Sequence, residues 1–288
     1  MSSETRVVTT RTGLQAAQET LPGGQRRAVV MTMGALHEGH AELIRQARSS
    51  VGDGGQVTVT VFVNPSQFTD PDDLARYPRT LDADVVICAR ESADVVFAPS
   101  VDVVYPGGSP DVTVDPGALG TVLEGAVRPG HFRGVLTVVH KLMRLTDPDV
   151  ALFGDKDYQQ LVLIRRMVRD LDMGVEVVGV PTVRAADGLA LSSRNSRLSA
   201  PERDLAAVVP QALEAGATRA RLGGSAAEVT RAAQALFDEN QVPTDYVVVT
   251  DPDLAPFAGS GDARLLVAAT IGTTRLTDNT GLVLGATT

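Results

Sequence analysis

The chain has 288 residues, a formal net charge of −9 at neutral pH, and 4% aromatic residues with no tryptophan. Proteins that bind nucleic acid carry a basic surface or stack bases on aromatic rings, so this composition argues against a nucleic-acid partner. No apolar run approaches the roughly 20 residues of a membrane span, and the N-terminus lacks the core of a secretory signal, so we expect a cytoplasmic protein with no membrane partner. The single cysteine, Cys88, excludes an internal disulfide, and its apolar neighbours predict a buried structural thiol.

The first two-thirds of the chain alternates apolar segments with amphipathic ones, which is typical of a parallel sheet whose strands are joined by helices. Residues 28–32 and the β-branched run 57–63 predict two strands, and residues 82–91 predict a helix before a third strand at 95–98. The stretch 105–130, rich in Gly, Pro and Asp, predicts an excursion or loop region. A helix, a strand, a helix and a strand complete this part, at 135–145, 150–153, 158–172 and 175–180.

The character of the chain changes after Pro181. Ser199, an early proline and Glu202 three residues after the serine form a helix-start signature. Two alanine-rich helices and two strands are predicted beyond it, at 200–221, 225–239, 246–250 and 265–271. The predicted fold class is therefore α/β: a Rossmann-like, parallel-sheet nucleotide-binding domain over residues 1–180, with a second, smaller α+β lid domain over residues 181–288.

Two of the four histidines, His37 and His40, lie just after the strand at 28–32. Gly34 permits a tight turn there, and the N-terminus of the following helix favours negative charge. Two imidazoles at the carboxyl edge of an α/β sheet, where such folds bind ligands, predict hydrogen-bond donors to phosphate oxygens. The other interpretations are that the histidines cap the helix or fill a groove, or that they bind zinc, for which no third ligand is apparent nearby.

With these features the chain resembles the nucleotidylyltransferase superfamily, in which a His-x-Gly-His motif stabilises the charge that develops during adenylyl transfer. Within that superfamily it is similar to the pantothenate synthetase family over nearly its whole length. The motifs that carry the similarity stand in the family's order and spacing, at residues 32–40, 63–68, 77–79, 123–125, 128–132, 153–160, 184–195, 272–276 and 278–279.

The resemblance implies a homodimeric ligase that uses ATP and Mg²⁺ to activate (R)-pantoate as a pantoyl-adenylate and then joins it to β-alanine, releasing pyrophosphate and AMP. His40 would be the acid that stabilises the departing pyrophosphate, with His37 beside it and Lys156 on the phosphates. Gln67 and Gln160 would bind pantoate, and Gln67 would also lie near β-alanine. The residues implied for ATP, with Asp157 at the ribose and Val183 near the adenine, are Met33, Gly34, Ala35, Leu36, His37, Glu38, Gly39, His40, Gly154, Asp155, Lys156, Asp157, Val183, Leu191, Ser192, Ser193 and Arg194.

The residue types suit this chemistry. Cleavage between the α- and β-phosphates develops charge on pyrophosphate, which preorganised donors such as Lys156 and Arg194 stabilise. Ser192 and Ser193 are interpreted as phosphate donors rather than nucleophiles, because no Gly-x-Ser-x-Gly elbow surrounds them. Side-chain amides donate and accept at once, which suits a hydroxy acid as ligand.

The metal ligands stay unassigned at this point. Some relatives place two consecutive acids where this chain has Ala83 between Asp82 and Asp84. Any carboxylate help to Mg²⁺ would therefore come from Asp84, or else from Asp82. Magnesium is often held mainly by nucleotide phosphates and water, so the loss of one acid is compatible with its use.

Two other functions stay open from the sequence alone. One is a related ligase that joins pantoate, or a similar hydroxy acid, to another amine. The other is a catalytically silent nucleotide-binding or regulatory paralogue. An aminoacyl-tRNA synthetase is disfavoured by the acidic charge, the short length and the lack of a Lys-Met-Ser-Lys-Ser-type loop.

Overall fold

The computed structural model describes residues 5–21 and 24–285. Over these ranges the chain forms two compact units. The first contains the described residues up to Asp155 together with Leu163–Pro181, and the second contains Lys156–Val162 with the described residues from Thr182 onward. None of the helices in the described ranges combines the length and the apolar character that crossing a bilayer requires.

The first unit is built on a six-stranded sheet whose paired neighbours all run parallel. Its strands are β1 (Arg6–Val8), β2 (Arg27–Thr32), β3 (Gln56–Val61), β4 (Val95–Phe97), β5 (Val150–Gly154) and β6 (Glu176–Val180). The helices of this part of the chain are α1 (Arg11–Gln18), α2 (Glu38–Val51), α3 (Pro71–Ala75), α4 (Leu81–Arg90), α5 (Val101–Val104), α6 (Glu124–Val127), α7 (His131–Thr146) and α8 (Tyr158–Asp170). The strand order β1-β4-β3-β2-β5-β6 confirms the predicted Rossmann-like parallel sheet.

Strand β2 lies inside the sheet, with strands on both sides of it. After β2 the chain adds β3 and β4 on one side, and it later adds β5 on the other side. Val30 is in register with Leu152, so β2 and β5 end at the same edge of the sheet, at Thr32 and Gly154. Open α/β sheets bind ligands outside the carboxyl ends of the strands where the strand order reverses. The turn after β2 therefore begins where a ligand is expected.

Helix α2 covers one face of the sheet through small and apolar side chains. Ala41, Ile44 and Ala47 are buried and recur every three residues, which places them on one side of a helix. Ile44 and Ala47 pack in a core that also contains Val57 of β3 and Cys88 of α4. Burial raises the pKa of the Cys88 thiol to about 12, which agrees with its interpretation as a structural thiol.

The second unit packs helices against a three-stranded antiparallel sheet. Its helices and strands are α9 (Ala200–Leu205), α10 (Val208–Arg221), α11 (Ala226–Glu239), β7 (Thr244–Thr250), β8 (Gly261–Ile271) and β9 (Thr274–Leu284). The strand order is β7-β8-β9. Leu213, Phe237 and Leu265 are among the apolar side chains from α10, α11 and β8 that form its core. This arrangement confirms the predicted smaller α+β fold.

Several elements differ from the sequence prediction. The short β1 and α1 were not predicted. Strand β1 gives a weak signal because it buries only one of its three residues, Val8. Strand β9 escapes it because consecutive polar residues, from Asp278 to Thr280, obscure the alternation. The helix predicted over 200–221 is interrupted between Leu205 and Val208. Pro210 stands in the first turn of the second piece, where a helix tolerates a residue without an N–H group.

Gly134 sets the distance between α7 and the short 3-10 helix Pro65–Gln67. A Cβ atom at this position would lie 2.2 Å from the Ser66 carbonyl oxygen. We expect Gly134→Ala to lower the free energy of unfolding by about 1–3 kcal/mol, because a buried methyl group forces the two segments apart. The urea midpoint measures this change.

The control is Gly107→Ala, since Gly107 is exposed and its Cβ would have no atom within 4 Å. Its unfolding free energy should stay within about 0.5 kcal/mol of wild type. A Gly134→Ala variant as stable as this control would contradict the close approach.

Candidate active site

The turn after β2 has an unusual backbone. Gly34 and Ala35 both have positive φ angles, of 85° and 52°. A Cβ at Gly34 would lie 3.0 Å from Oδ2 of Asp84 and 3.1 Å from Cγ1 of Val61, so both the conformation and the lack of space favour glycine. The turn brings successive backbone N–H groups towards one carboxylate.

That carboxylate belongs to Asp84, in the first turn of α4. Asp84 is buried, with an exposed fraction of 1%. Its Oδ2 accepts from the Ala35 amide at 3.1 Å, and its Oδ1 accepts from the Leu36 amide at 2.8 Å and from the Thr80 hydroxyl at 3.1 Å. Three donors compensate the buried charge, as a buried carboxylate requires. Asp84 therefore anchors the turn.

Asp84 is the residue that the sequence analysis considered first for Mg²⁺. Three of its roughly four lone-pair positions already accept hydrogen bonds from the turn and from Thr80. Within residues 5–21 and 24–285, no group of three or more His, Cys, Asp or Glu side chains is arranged to hold a metal ion. The donor set of Asp84 fits an anchor for the backbone better than a metal ligand.

The two histidines cap helix α2 reciprocally. Nδ1 of His37, the N-cap residue, accepts from the Gly39 amide at 3.1 Å, and Nδ1 of His40 accepts from the His37 amide at 3.2 Å. The ring centroids are 4.2 Å apart. A backbone amide can only donate, so Nδ1 of each neutral ring lacks a hydrogen, and Nε2 carries it. Helix capping, one of the interpretations given above, thus uses Nδ1 of both rings, and the predicted phosphate binding would use the other nitrogen, Nε2.

The buried side chain of Gln67 is oriented by Asn64. The Asn64 Oδ1 accepts from the Ser66 amide at 3.3 Å, and its Nδ2 donates to the Gly134 carbonyl at 3.3 Å. These backbone partners determine which way the Asn64 amide points. The same Nδ2 meets Oε1 of Gln67 at 3.1 Å, so the NH₂ group of Gln67 faces the other way, with the Met33 sulfur at 3.0 Å. Gln67 therefore presents a donor beside Met33.

The main chain of Gln67 is held as well. Its carbonyl oxygen lies 2.8 Å from Nδ1 of His131, which must carry the hydrogen of this contact. Asn64, Asp84 and His131 all support the candidate site, and sequence reasoning assigned none of them this role. Asn64 and His131 stand in motifs that the family resemblance had marked, and this was the available signal.

Other predicted site residues lie in the second unit. Lys156, whose side chain is 19% exposed, has its ammonium group 3.6 Å from the Asp157 carboxylate. Gln160 follows, half-buried, in the first turns of α8. The Lys156 carbonyl accepts from the side-chain amide of Asn279 at 3.0 Å.

A narrow hairpin presents the other residues of this group. The Leu191 amide donates to the Val183 carbonyl at 2.9 Å, and Arg184 bridges to Ala190. Ser192 caps the 3-10 helix Ser193–Arg197 by accepting from the Arg194 amide at 3.3 Å. At the hairpin tip, a hydrogen bond from Arg203 lowers the pKa of Asp187 to about 2.

The structure thus divides the predicted residues between the two units. The first contains Met33, Gly34, Ala35, Leu36, His37, Glu38, Gly39, His40, Gln67, Asp84, Gly154 and Asp155. The second contains Lys156, Asp157, Gln160, Val183, Leu191, Ser192, Ser193 and Arg194. Each group offers donors suited to an anion.

Comparisons with known proteins agree along nearly the whole chain. A family model described as pantoate–β-alanine ligase matches residues 6–281. A pantothenate synthetase of Nocardioides sp. is 58% identical over 269 residues, which cover 91% of this chain and 80% of the relative. The crystal structure of a pantothenate synthetase from Thermus thermophilus is 46% identical, with a TM-score of 0.88 and coverage of 96% of this chain and 98% of that one. A pantoate–β-alanine ligase from Francisella tularensis, complexed with β-γ ATP and β-alanine, is 33% identical, with a TM-score of 0.80 and coverage of 96% and 97%.

Asp84→Asn tests the anchoring of the turn. The new NH₂ group would face a backbone N–H or the Thr80 hydroxyl, and the charge that strengthens the contacts would be lost. We expect the free energy of unfolding to fall by about 1–3 kcal/mol, and the amides of Ala35 and Leu36 to exchange hydrogen faster. Asp82→Asn, on an exposed residue of the same helix, should change neither. Unaltered exchange at Ala35 and Leu36 in Asp84→Asn would refute the anchor.

Proposed function

The chain belongs to the pantoate–β-alanine ligase family, whose members form an amide bond, and we propose that it does so by activating (R)-pantoate with ATP as an enzyme-bound pantoyl-adenylate. β-Alanine then attacks the adenylate, and the products are pantothenate, AMP and pyrophosphate. The observation that carries this proposal is the geometry of His37 and His40 at the N-terminus of α2, beside the point where the strand order of the sheet reverses.

The first step is a nucleophilic substitution at the α-phosphorus of ATP. A pantoate carboxylate oxygen forms the new bond to phosphorus, and the bond to the β-phosphate oxygen breaks, so pyrophosphate leaves with the electron pair. His40, supported by His37, is the donor for the charge that accumulates on pyrophosphate. Each ring holds its hydrogen at Nε2, away from the cap, where it can donate to a phosphate oxygen. The remaining members of residues 33–40 line the path of ATP.

The acid substrate is assigned to the two glutamines. Gln67 presents its NH₂ group beside Met33, whose thioether sulfur is a weak acceptor. A carboxylate or hydroxyl oxygen of pantoate is a stronger acceptor and would displace this contact. Gln160 is the second proposed pantoate ligand, and Gln67 also serves β-alanine, so the amine arrives beside the acyl carbon that it attacks.

Further nucleotide contacts are assigned to residues 154–157 and to the hairpin. Lys156 neutralises phosphate charge, Gly154 and Asp155 before it in the chain also contact ATP, and Asp157 binds the ribose. Val183 lies near the adenine, next to the hairpin partner Leu191. Ser192, Ser193 and Arg194 add donors to phosphate. None of these residues forms a covalent intermediate.

Magnesium belongs to the proposal as a companion of ATP. It neutralises phosphate charge when bound, and it prefers oxygen ligands and usually keeps several waters. Because the Asp84 oxygens already accept three hydrogen bonds, we assign most of the coordination to the nucleotide phosphates and water. We also propose a cytoplasmic homodimer, on the family resemblance, which sedimentation velocity tests.

Adenylate formation should occur without the amine. We expect pyrophosphate–ATP exchange with pantoate alone, and pantoate labelled with ¹⁸O in its carboxylate should deliver one labelled oxygen to AMP when β-alanine is added. The reason is that attack at the α-phosphorus leaves a pantoate oxygen bridging to AMP. Label in inorganic phosphate, accompanied by ADP, would refute adenylyl transfer. Mass analysis of products with a panel of amines decides whether β-alanine is the preferred one.

Replacing His40 by Ala should slow adenylate formation roughly 10²–10³-fold, the usual cost of losing one transition-state donor. The affinity for ATP should change much less, since the stabilised charge appears only in the transition state. Single-turnover kinetics and equilibrium titration measure the two quantities. His140→Ala, at a half-buried histidine of α7, is the matched control. A His40→Ala rate within about threefold of wild type would remove His40 from this role.

A further inference from the structure

Two consecutive polar residues of β9, Asp278 and Asn279, are buried, with exposed fractions of 3% and 4%. Successive side chains of a strand point to opposite faces of the sheet, so one strand sends a carboxylate to one face and an amide to the other. Buried polar side chains of this kind rarely add stability over well-packed apolar ones, so stability alone does not explain these two residues. Their hydrogen-bond partners within the second unit indicate a different role.

On one face, Asn279 holds the main chain of Lys156. Its Nδ2 donates to the Lys156 carbonyl at 3.0 Å, and its Oδ1 accepts from Nε of Arg264 at 2.7 Å. The Arg264 guanidinium lies 3.9 Å above the ring of Tyr158, and the Tyr158 hydroxyl donates to the Pro252 carbonyl at 2.9 Å. Since a guanidinium only donates and a carbonyl only accepts, the Asn279 amide has one possible orientation. The segment that leads into α8 is thereby held at Lys156 and at Tyr158, the first residue of the helix.

On the other face, Asp278 holds the hairpin. Its two carboxylate oxygens accept from the two terminal nitrogens of Arg184, at 2.6 and 3.0 Å. Arg184 also donates to the Gly188 carbonyl at 3.0 Å and follows Val183, whose carbonyl accepts from Leu191. The hairpin leads directly into Ser192. A bidentate contact determines orientation as well as distance, so the hairpin cannot turn relative to β9 without breaking it.

We propose that Asp278 and Asn279 are positioning residues for adenylate formation. They fix the positions of Lys156 and of residues 183–194 relative to the same strand, β9, although these two parts of the chain are distant in sequence. Neither residue is assigned a contact with substrate, and each acts through the backbone or side chain that it holds. This inference rests on the proposed function, because it takes Lys156 and the hairpin as nucleotide-binding segments.

A double-mutant cycle between Asn279 and Lys156 tests it. The variant Lys156→Ala keeps the backbone carbonyl, so Asn279 makes the same hydrogen bond in both backgrounds and its contribution to stability is unchanged. We expect Asn279→Ala to lower the single-turnover adenylation rate and the ATP affinity roughly tenfold in the wild-type background, and less than about threefold in the Lys156→Ala background. Calorimetric titration with ATP completes the cycle if Lys156→Ala is too slow to assay.

Further measurements separate positioning from general destabilisation. The rate at which β-alanine consumes preformed adenylate should be unchanged in Asn279→Ala, and Asp278→Asn should weaken ATP far more than pantoate. Asp245→Asn is the control, since it removes the ion pair with Arg275 on the same sheet and should leave ATP affinity as in wild type. Equal losses from Asn279→Ala in both backgrounds would overturn the inference. If the proposed function itself were wrong, the result would be different: the wild-type protein would show no pyrophosphate–ATP exchange.

Discussion

The buried carboxylate of Asp84 is the constraint on which the candidate site depends. A charge at 1% exposure is stable only when donors surround it, and here two of those donors are the amides of Ala35 and Leu36. The left-handed backbone at Gly34 and Ala35 is in turn held by the carboxylate that it compensates. The turn therefore has one defined conformation, and it fixes the position of His37, the N-cap residue of α2.

The same requirement, that each donor meets an acceptor, also orients other candidate residues. Backbone amides occupy Nδ1 of His37 and His40, so both rings present Nε2–H. Asn64, oriented by a backbone amide and a backbone carbonyl, turns the NH₂ group of Gln67 towards Met33. In the second unit, Asn279 holds the Lys156 carbonyl by the same means. A set of donors whose directions are settled before a ligand arrives is what the development of negative charge on a leaving group requires.

The sequence by itself determined the features that depend on local patterns. The strand β2, the tight turn at Gly34 and the amphipathic helix α8 were predicted because apolar periodicity and glycine conformation act over a few residues. The start of α9 was predicted from Ser199 and Glu202, which do form a reciprocal cap. The fold class and the family followed from the order of these elements and from motifs that are contiguous in the chain.

Only the tertiary structure decided which distant groups meet. Asp84 lies 49 residues from Ala35, and Asn279 lies 123 residues from Lys156, so no local signal ties either pair together. The pattern of apolar residues indicates where a strand forms but not which partner a buried polar side chain finds on its face. The sequence therefore determined which donors and acceptors the protein has and near which turns they lie. Packing decided their directions, because a buried polar group must satisfy its hydrogen bonds with whatever the fold brings to it.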